Sequence, residues 1–139
     1  MKTPIFILLI FVALSCSNSD DNNPNLPDVA VNKTLYLNNP SNNNLLFAGG
    51  YVEINGGIKG IVVYRGNNDT FYAYDLACPH LAVDACDKMI IEDGIFLVCT
   101  CDNTKFALAL GGAPQSDTKY AAKAYNVIQE GKKLIITNY

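Results

Sequence analysis

From Ala30 to Tyr139 the chain is a succession of short apolar runs separated by turn residues. Val31 to Leu37 alternates apolar and polar side chains over part of its length, the pattern of a half-buried strand. Asn38 to Asn44 is rich in turn formers and reads as a loop. Tyr51 to Ile54 predicts a second strand, with Asn55-Gly56-Gly57 as a hairpin signal behind it. Gly60 to Arg65 is β-branched, and Gly66 to Asp69 turns it. Thr70 to Leu76 and Ile95 to Val98 are two further strand segments, each running into a cysteine. Phe106 to Leu110 continues the pattern until Gly111 to Ser116 breaks it. Ala124 to Ile128 and Lys133 to Thr137 flank the turn Gln129 to Lys132, a final hairpin. No segment keeps a capped helical period beyond about ten residues, so the expected class is all-β.

The first residues have a different character. Met1-Lys2 precedes an almost unbroken apolar run, Ile5 to Leu14, that suits an export signal and is too short for a finished transmembrane helix. It ends in Ala13-Leu14-Ser15-Cys16, which resembles the lipobox of bacterial lipoproteins, with Ala13 where that family usually has leucine. The resemblance implies a lipid anchor on Cys16 and a domain exported to the bacterial cell envelope, facing the periplasm or the cell surface. Ser17 to Asp28 is polar and acidic and contains two prolines, a composition that predicts a flexible tether. The expected organisation is a signal peptide over 1–15, a tether over 16–29 and one domain over 30–139.

Composition changes this picture in two ways. A formal net charge of −3 leaves no basic patch, which argues against nucleic acid as a partner. Eight tyrosines and six phenylalanines can fill a core although tryptophan is absent.

The candidate chemistry lies in one stretch. Cys78-Pro79-His80 opens it and Cys99-Thr100-Cys101-Asp102 closes it. Four of the five cysteines and the one histidine fall between Cys78 and Phe106. Two cysteine loops, each with a second donor two or three residues along and each set at a strand end, suit an iron or zinc site on rigid supports.

Tyr74 to Leu81, followed by Val98 to Phe106, resembles the Rieske iron–sulfur domain, which has Cys-x-His in its first loop and Cys-x-x-His in its second. Leu110 to Pro114 and Tyr125-Asn126-Val127 are similar to that family's Gly-x-Pro turn and closing strand. The likeness runs from about Val52 to Thr137. It implies a Rieske-like antiparallel β-sandwich of three sheets with a small two-loop cluster-binding lobe. It also implies a 2Fe–2S cluster and single-electron transfer to an unknown redox or envelope protein, the role of a carrier more than an enzyme. Cys78, His80 and Cys99 match the family's ligands. The fourth position is Asp102, and His80 is the one histidine in the chain. A two-histidine centre therefore cannot be built from this sequence.

Three outcomes stay open. Asp102 replaces the histidine and a cluster forms at a potential below the family's ~−150 to +300 mV window. One metal ion such as zinc binds through Cys78, His80, Cys99 and either Asp102 or Cys101. Or the fold persists without a cluster, as an envelope lipoprotein with a structural or binding role. Some respiratory Rieske proteins tie their loops with an extra cysteine pair, and that likeness implies a Cys86–Cys101 disulfide. In an oxidising compartment Cys78–Cys99 can oxidise as well. A Rieske oxygenase is disfavoured, because such enzymes need a second catalytic domain. Gly49-Gly50 and Gly56-Gly57 read as turn glycines, and no Ser/His/Asp or Cys/His nucleophile set is evident.

Overall fold

β-Branched and aromatic residues at alternating positions pair into two antiparallel sheets in the computed structural model, which describes residues 23–139. The export signal and Cys16 lie outside the described residues. Strands β1 (Asn32–Tyr36), β2 (Tyr51–Ile54), β3 (Ile61–Arg65), β4 (Phe71–Asp75), β9 (Ala124–Glu130) and β10 (Lys133–Thr137) form the larger sheet, in the order β1-β10-β9-β4-β3-β2. Strands β5 (Ile90–Glu92), β6 (Phe96–Val98), β7 (Lys105–Ala107) and β8 (Ala113–Pro114) form the smaller one, in sequence order. Among the described residues the only helical pieces are short 3₁₀ segments.

The expected all-β class is observed. Three separate sheets are not: the halves β1-β10-β9 and β4-β3-β2 are joined where Ala73 and Tyr74 of β4 pair with Tyr125 and Ala124 of β9. The Asn-rich stretch expected as a loop is a 3₁₀ segment, Pro40–Leu46, because Asn39 caps it and Leu45 is buried beneath the sheet. The run after β7 turns into a second such segment, Leu108–Leu110, instead of extending the strand. Ile90–Glu92 and Ala113–Pro114 are two further short strands that the sequence pattern does not mark.

Strand β3 explains how the layers meet. Ile61 and Val63 point into one core, with Leu35, Leu45, Ala73, Tyr125, Leu134 and Ile136. Val62 and Tyr64 point into the other, with Tyr74, Leu76, Met89, Leu97, Phe106 and Leu108. Successive residues of a strand face opposite sides, so a β-branched run buried on both faces belongs in the middle of the molecule. The second core lies between the sheets and includes Cys78, Cys86 and Cys99. The two-loop lobe is thus built on packed apolar residues.

Two hairpins show why their turns have the residues they do. Asn68 and Asp69, between β3 and β4, both have positive φ, as do Asp93 and Gly94 between β5 and β6. This is the backbone pattern of the tight hairpin turn that matches strand twist, and Asn, Asp and Gly tolerate it best.

Candidate metal centre

The first loop runs from the end of β4 to β5 and so crosses from the larger sheet to the smaller. The second is the hairpin between β6 and β7, closed by Cys99 N–H donating to Thr104 O at 2.9 Å and Asn103 N–H to Cys99 O at 2.9 Å. Both loops leave strand ends, as the sequence pattern requires. The two loops are brought together by two cysteine pairs. Cys78 and Cys99 are disulfide-bonded with their Cα atoms 5.7 Å apart. Cys86 and Cys101 are bonded with Cα atoms 5.8 Å apart, the expected cross-loop pairing. Both separations are ordinary for a disulfide. The inner pair is buried; of the outer pair, Cys86 is buried and Cys101 exposed.

His80 and Asp102 meet above the inner pair. The His80 Nε2 and Asp102 Oδ2 are 2.6 Å apart. Asp102 Oδ1 accepts a second hydrogen bond, from Thr104 N at 3.0 Å. The His80 contact holds the Asp102 carboxyl below the usual carboxylate range, with the Thr104 N–H adding to the effect. His80 packs at 6.0 Å from the Phe106 ring, and its Nδ1 is buried with no hydrogen-bond partner. One ligating atom each from His80, Cys99 and Asp102 lie within 4.8 Å of one another.

The first loop is held from below by residues that pattern reading did not single out. Asp75, the last residue of β4, is fully buried and accepts four hydrogen bonds. They come from Ile58 N at 2.6 Å, Lys59 N at 3.2 Å, Ala77 N at 2.8 Å and the Tyr125 hydroxyl at 2.8 Å. A buried carboxylate is tolerable only with such a set of donors. The Lys59 ammonium in turn donates to the carbonyl of Cys86, at the far end of the same loop. The turn 56–60 therefore props both ends of the segment carrying Cys78 and His80. A charge at the end of a strand, just before the cysteine, was the available signal.

A second support comes from the expected tether. Asn23 and Asn25 donate through their side-chain amides to Pro79 O at 2.7 and 3.2 Å, and Leu26 is buried. Residues 23–29 lie against the domain instead of trailing from it. Of the acidic residues near the site, Asp84 and Asp87 are exposed and Glu92 pairs with Lys105, as a solvated rim would be.

A family model described as the Rieske [2Fe-2S] domain matches residues 40–127, which include both loops. The chain belongs to that family. No curated protein sequence matches it. Among solved structures it is similar to the ferredoxin of carbazole 1,9a-dioxygenase from Nocardioides aromaticivorans IC177, at 18% identity. That match covers 78% of this chain and 97% of that one, with a TM-score of 0.48. It is also similar to the E. coli protein NirD, at 13% identity over 78% of this chain and 97% of that one, with a TM-score of 0.47.

The Rieske family implies a 2Fe–2S cluster, and the donors can be tested against it. The Cys78 and Cys99 sulfurs meet at the base of the loops as a disulfide, and only after reduction would they supply the two thiolates that one iron of such a centre needs. His80 offers a buried nitrogen with nothing to bond, which is what a ligand position looks like in the protein alone. Asp102 offers oxygen where the family has nitrogen. The donor set fits the group at three positions and departs at the fourth. Ligation needs both inner sulfurs as thiolates, so the 78–99 bond and a cluster are mutually exclusive states of one cysteine pair.

Proposed function

We propose that this chain is a Rieske-type iron–sulfur protein that passes single electrons between partners at the cell envelope. The observation that carries the reading is the meeting of His80, Cys99 and Asp102, one ligating atom of each within 4.8 Å of the others and Cys78 paired with Cys99, in the loops matched to the family. Cys78 and Cys99, as thiolates, would hold one iron and His80 the other, with Asp102 at the fourth position. A bound 2Fe–2S cluster supplies one-electron redox chemistry. The protein's own contribution is placement. Cys99 is fully buried and Cys78 nearly so, which keeps water from the sulfur side. The His80 side chain retains 16% exposure and marks the edge nearest a docking partner.

The export-type N-terminus supports a lipid anchor on Cys16 that would tether the carrier to a bacterial membrane. Among the described residues no helix is long and apolar enough to cross one. Anaerobically purified protein is expected to contain iron and acid-labile sulfide and to give a reduced-state EPR signal, all lost in Cys99→Ser. Colourless protein that takes up no iron on reconstitution would overturn the reading.

A second reading rests on the inner disulfide. With 78–99 and 86–101 both closed, the loops are stapled without metal and the domain serves as a binding or structural module. Thiol titration of the folded, unreduced protein separates the two. Absence of free thiol together with absence of iron favours the stapled module.

A further inference from the structure

We infer that the end of the domain carrying the two cysteine loops faces the membrane that holds the lipid anchor, and that the partner it meets there is an integral membrane protein with a basic outer surface. The inference rests on the proposed lipid on Cys16 and holds whichever state the loop cysteines keep.

The segment leading from the anchor is fastened to the domain beside the loops. Asn23 and Asn25 donate to Pro79 O at 2.7 and 3.2 Å, one residue before His80. The Asn23 side chain accepts from Asn25 N at 3.0 Å and its carbonyl from Leu26 N at 3.2 Å, which closes a turn against the first loop. Leu26 is buried. Asp28 then accepts from the Asn138 amide at 3.3 Å and stands 3.8 Å from the Lys123 ammonium. Asn138 also donates to Val29 O at 2.9 Å and accepts from Val31 N at 2.9 Å. The domain therefore holds the tether from Asn23 onward, and not only from Ala30.

Chain length then limits how far the loops can stand from lipid. Six residues, 17–22, separate Asn23 from Cys16. Whatever path they take, they let the two ends lie at most about 25 Å apart. The other end of the domain is farther off. Ala124 of β9 pairs with Tyr74, just before the first loop, and β9 runs on to Glu130. At the rise of a strand this sets the turn at Gly131 about 20 Å beyond the loop end of the sheet. The β3–β4 turn, with Asn68 and Asp69, lies at that far end too, since β4 runs from Phe71 toward the loop at Asp75.

Size and charge choose the partner. A soluble domain of about 100 residues is roughly 34 Å across, too wide to stand between the loops and the lipid. A membrane protein whose outer face rises little above the headgroups meets no such limit. Asp84, Asp87 and Asp102 are exposed on the loops. Anionic lipid repels such a face, and a basic protein surface complements it.

The test uses the full chain purified from bacterial membranes, with the mass of its N-terminal peptide reporting lipid on Cys16. It is placed in phosphatidylethanolamine–phosphatidylglycerol nanodiscs containing a gadolinium-chelating lipid. Paramagnetic broadening of the Ala82, Ala85, Thr100 and Asp102 amides is expected to exceed that of Asn68, Asp69 and Gly131 by roughly tenfold, because it falls with the sixth power of distance and β9 separates the two ends. Two changes are expected to bring that ratio toward unity. Asn23→Ala/Asn25→Ala/Leu26→Ser frees the segment, and a Gly/Ser insert after Asp20 lengthens the reach while leaving every contact in place. In cells, p-benzoylphenylalanine at Ala82 is expected to form photo-adducts with a membrane-spanning protein that the same group at Glu130 does not form.

Equal broadening at both ends of the lipidated wild type would overturn the orientation. A ratio unchanged by both the triple variant and the insert would overturn the segment's part in it. Adducts from Ala82 to a soluble protein alone would overturn the class of partner. Protein without lipid on Cys16 refutes the anchor reading, and this inference with it, and leaves the iron–sulfur reading standing.

Discussion

Asp75 and Gly57 are the residues on which the first loop depends most directly. A Cβ at Gly57 would lie 2.2 Å from Asp75 Oδ2 and 2.8 Å from the Tyr125 hydroxyl, and its φ of +62° disfavours any side chain. Gly57→Ala is therefore expected to cost roughly 2 to 4 kcal/mol of stability, read from denaturant midpoints, because it displaces a satisfied buried carboxylate as well as straining the turn. Asp75→Asn keeps the shape but sets amide hydrogens against groups that are themselves donors. It is expected to cost on the order of 3 kcal/mol. If the loop is propped as described, it also lowers iron uptake more than Tyr74→Phe does. Tyr74 donates to Leu108 O at 2.7 Å between the sheets and not at the loop. Equal iron uptake by the two variants would show that Asp75 does not position the loop. Beyond a charge at a strand end, none of this was legible in the sequence. Asp75 reads there as a polar residue at a strand end, and its four donors come from residues 16 to 50 positions distant as well as from Ala77.

At the scale of elements, the loops and the strands that carry them were legible. Apolar and β-branched runs bounded by turn residues placed β1, β2, β3, β4, β6, β9 and β10 within one or two residues. β5 and β8 escaped, since neither is a bounded apolar run and each exists as a strand only through its pairing with β6 or β7. The Cys86–Cys101 link was anticipated from the family likeness alone, and the structure supplies its geometry. This bond spans 15 residues between the loops. The Cys86→Ala/Cys101→Ala double variant is expected to lose about 3 kcal/mol in equilibrium unfolding, mostly through the freed unfolded chain. Reconstitution of that variant has its own outcome. If the outer bond aligns the loops for the inner donors, iron occupancy falls although no proposed ligand has changed.

For the molecule as a whole, the two cores share the larger sheet, and each holds a buried tyrosine. Burial pushes the Tyr74 and Tyr125 hydroxyls well above the usual phenol range, and the Asp75 hydrogen bond pushes Tyr125 further. A folded-state value raised above the unfolded one favours folding fully below about pH 10 and loses that contribution as pH climbs above it. Alkaline unfolding is therefore expected to set in above about pH 10, and Tyr74→Phe with Tyr125→Phe to move it upward, as followed by circular dichroism. An onset unchanged in the double variant would place the cause elsewhere. The same scale links the chain's start to its site. Asn23 and Asn25 bond Pro79 O, so the segment leading from the proposed anchor rests on the loop that holds Cys78 and His80.

Short-range information was sufficient for the all-β class, the two loops at strand ends and the missing second histidine, because periodicity, turn chemistry and residue identity are all local. The tertiary structure decided what stands beneath and above those loops. It merged two sheets through a two-residue pairing, buried Asp75 among distant donors, and placed the Asp102 carboxylate on the outer nitrogen of His80. Each of these is a contact between segments far apart in the chain, where no repeat or spacing records which groups will meet.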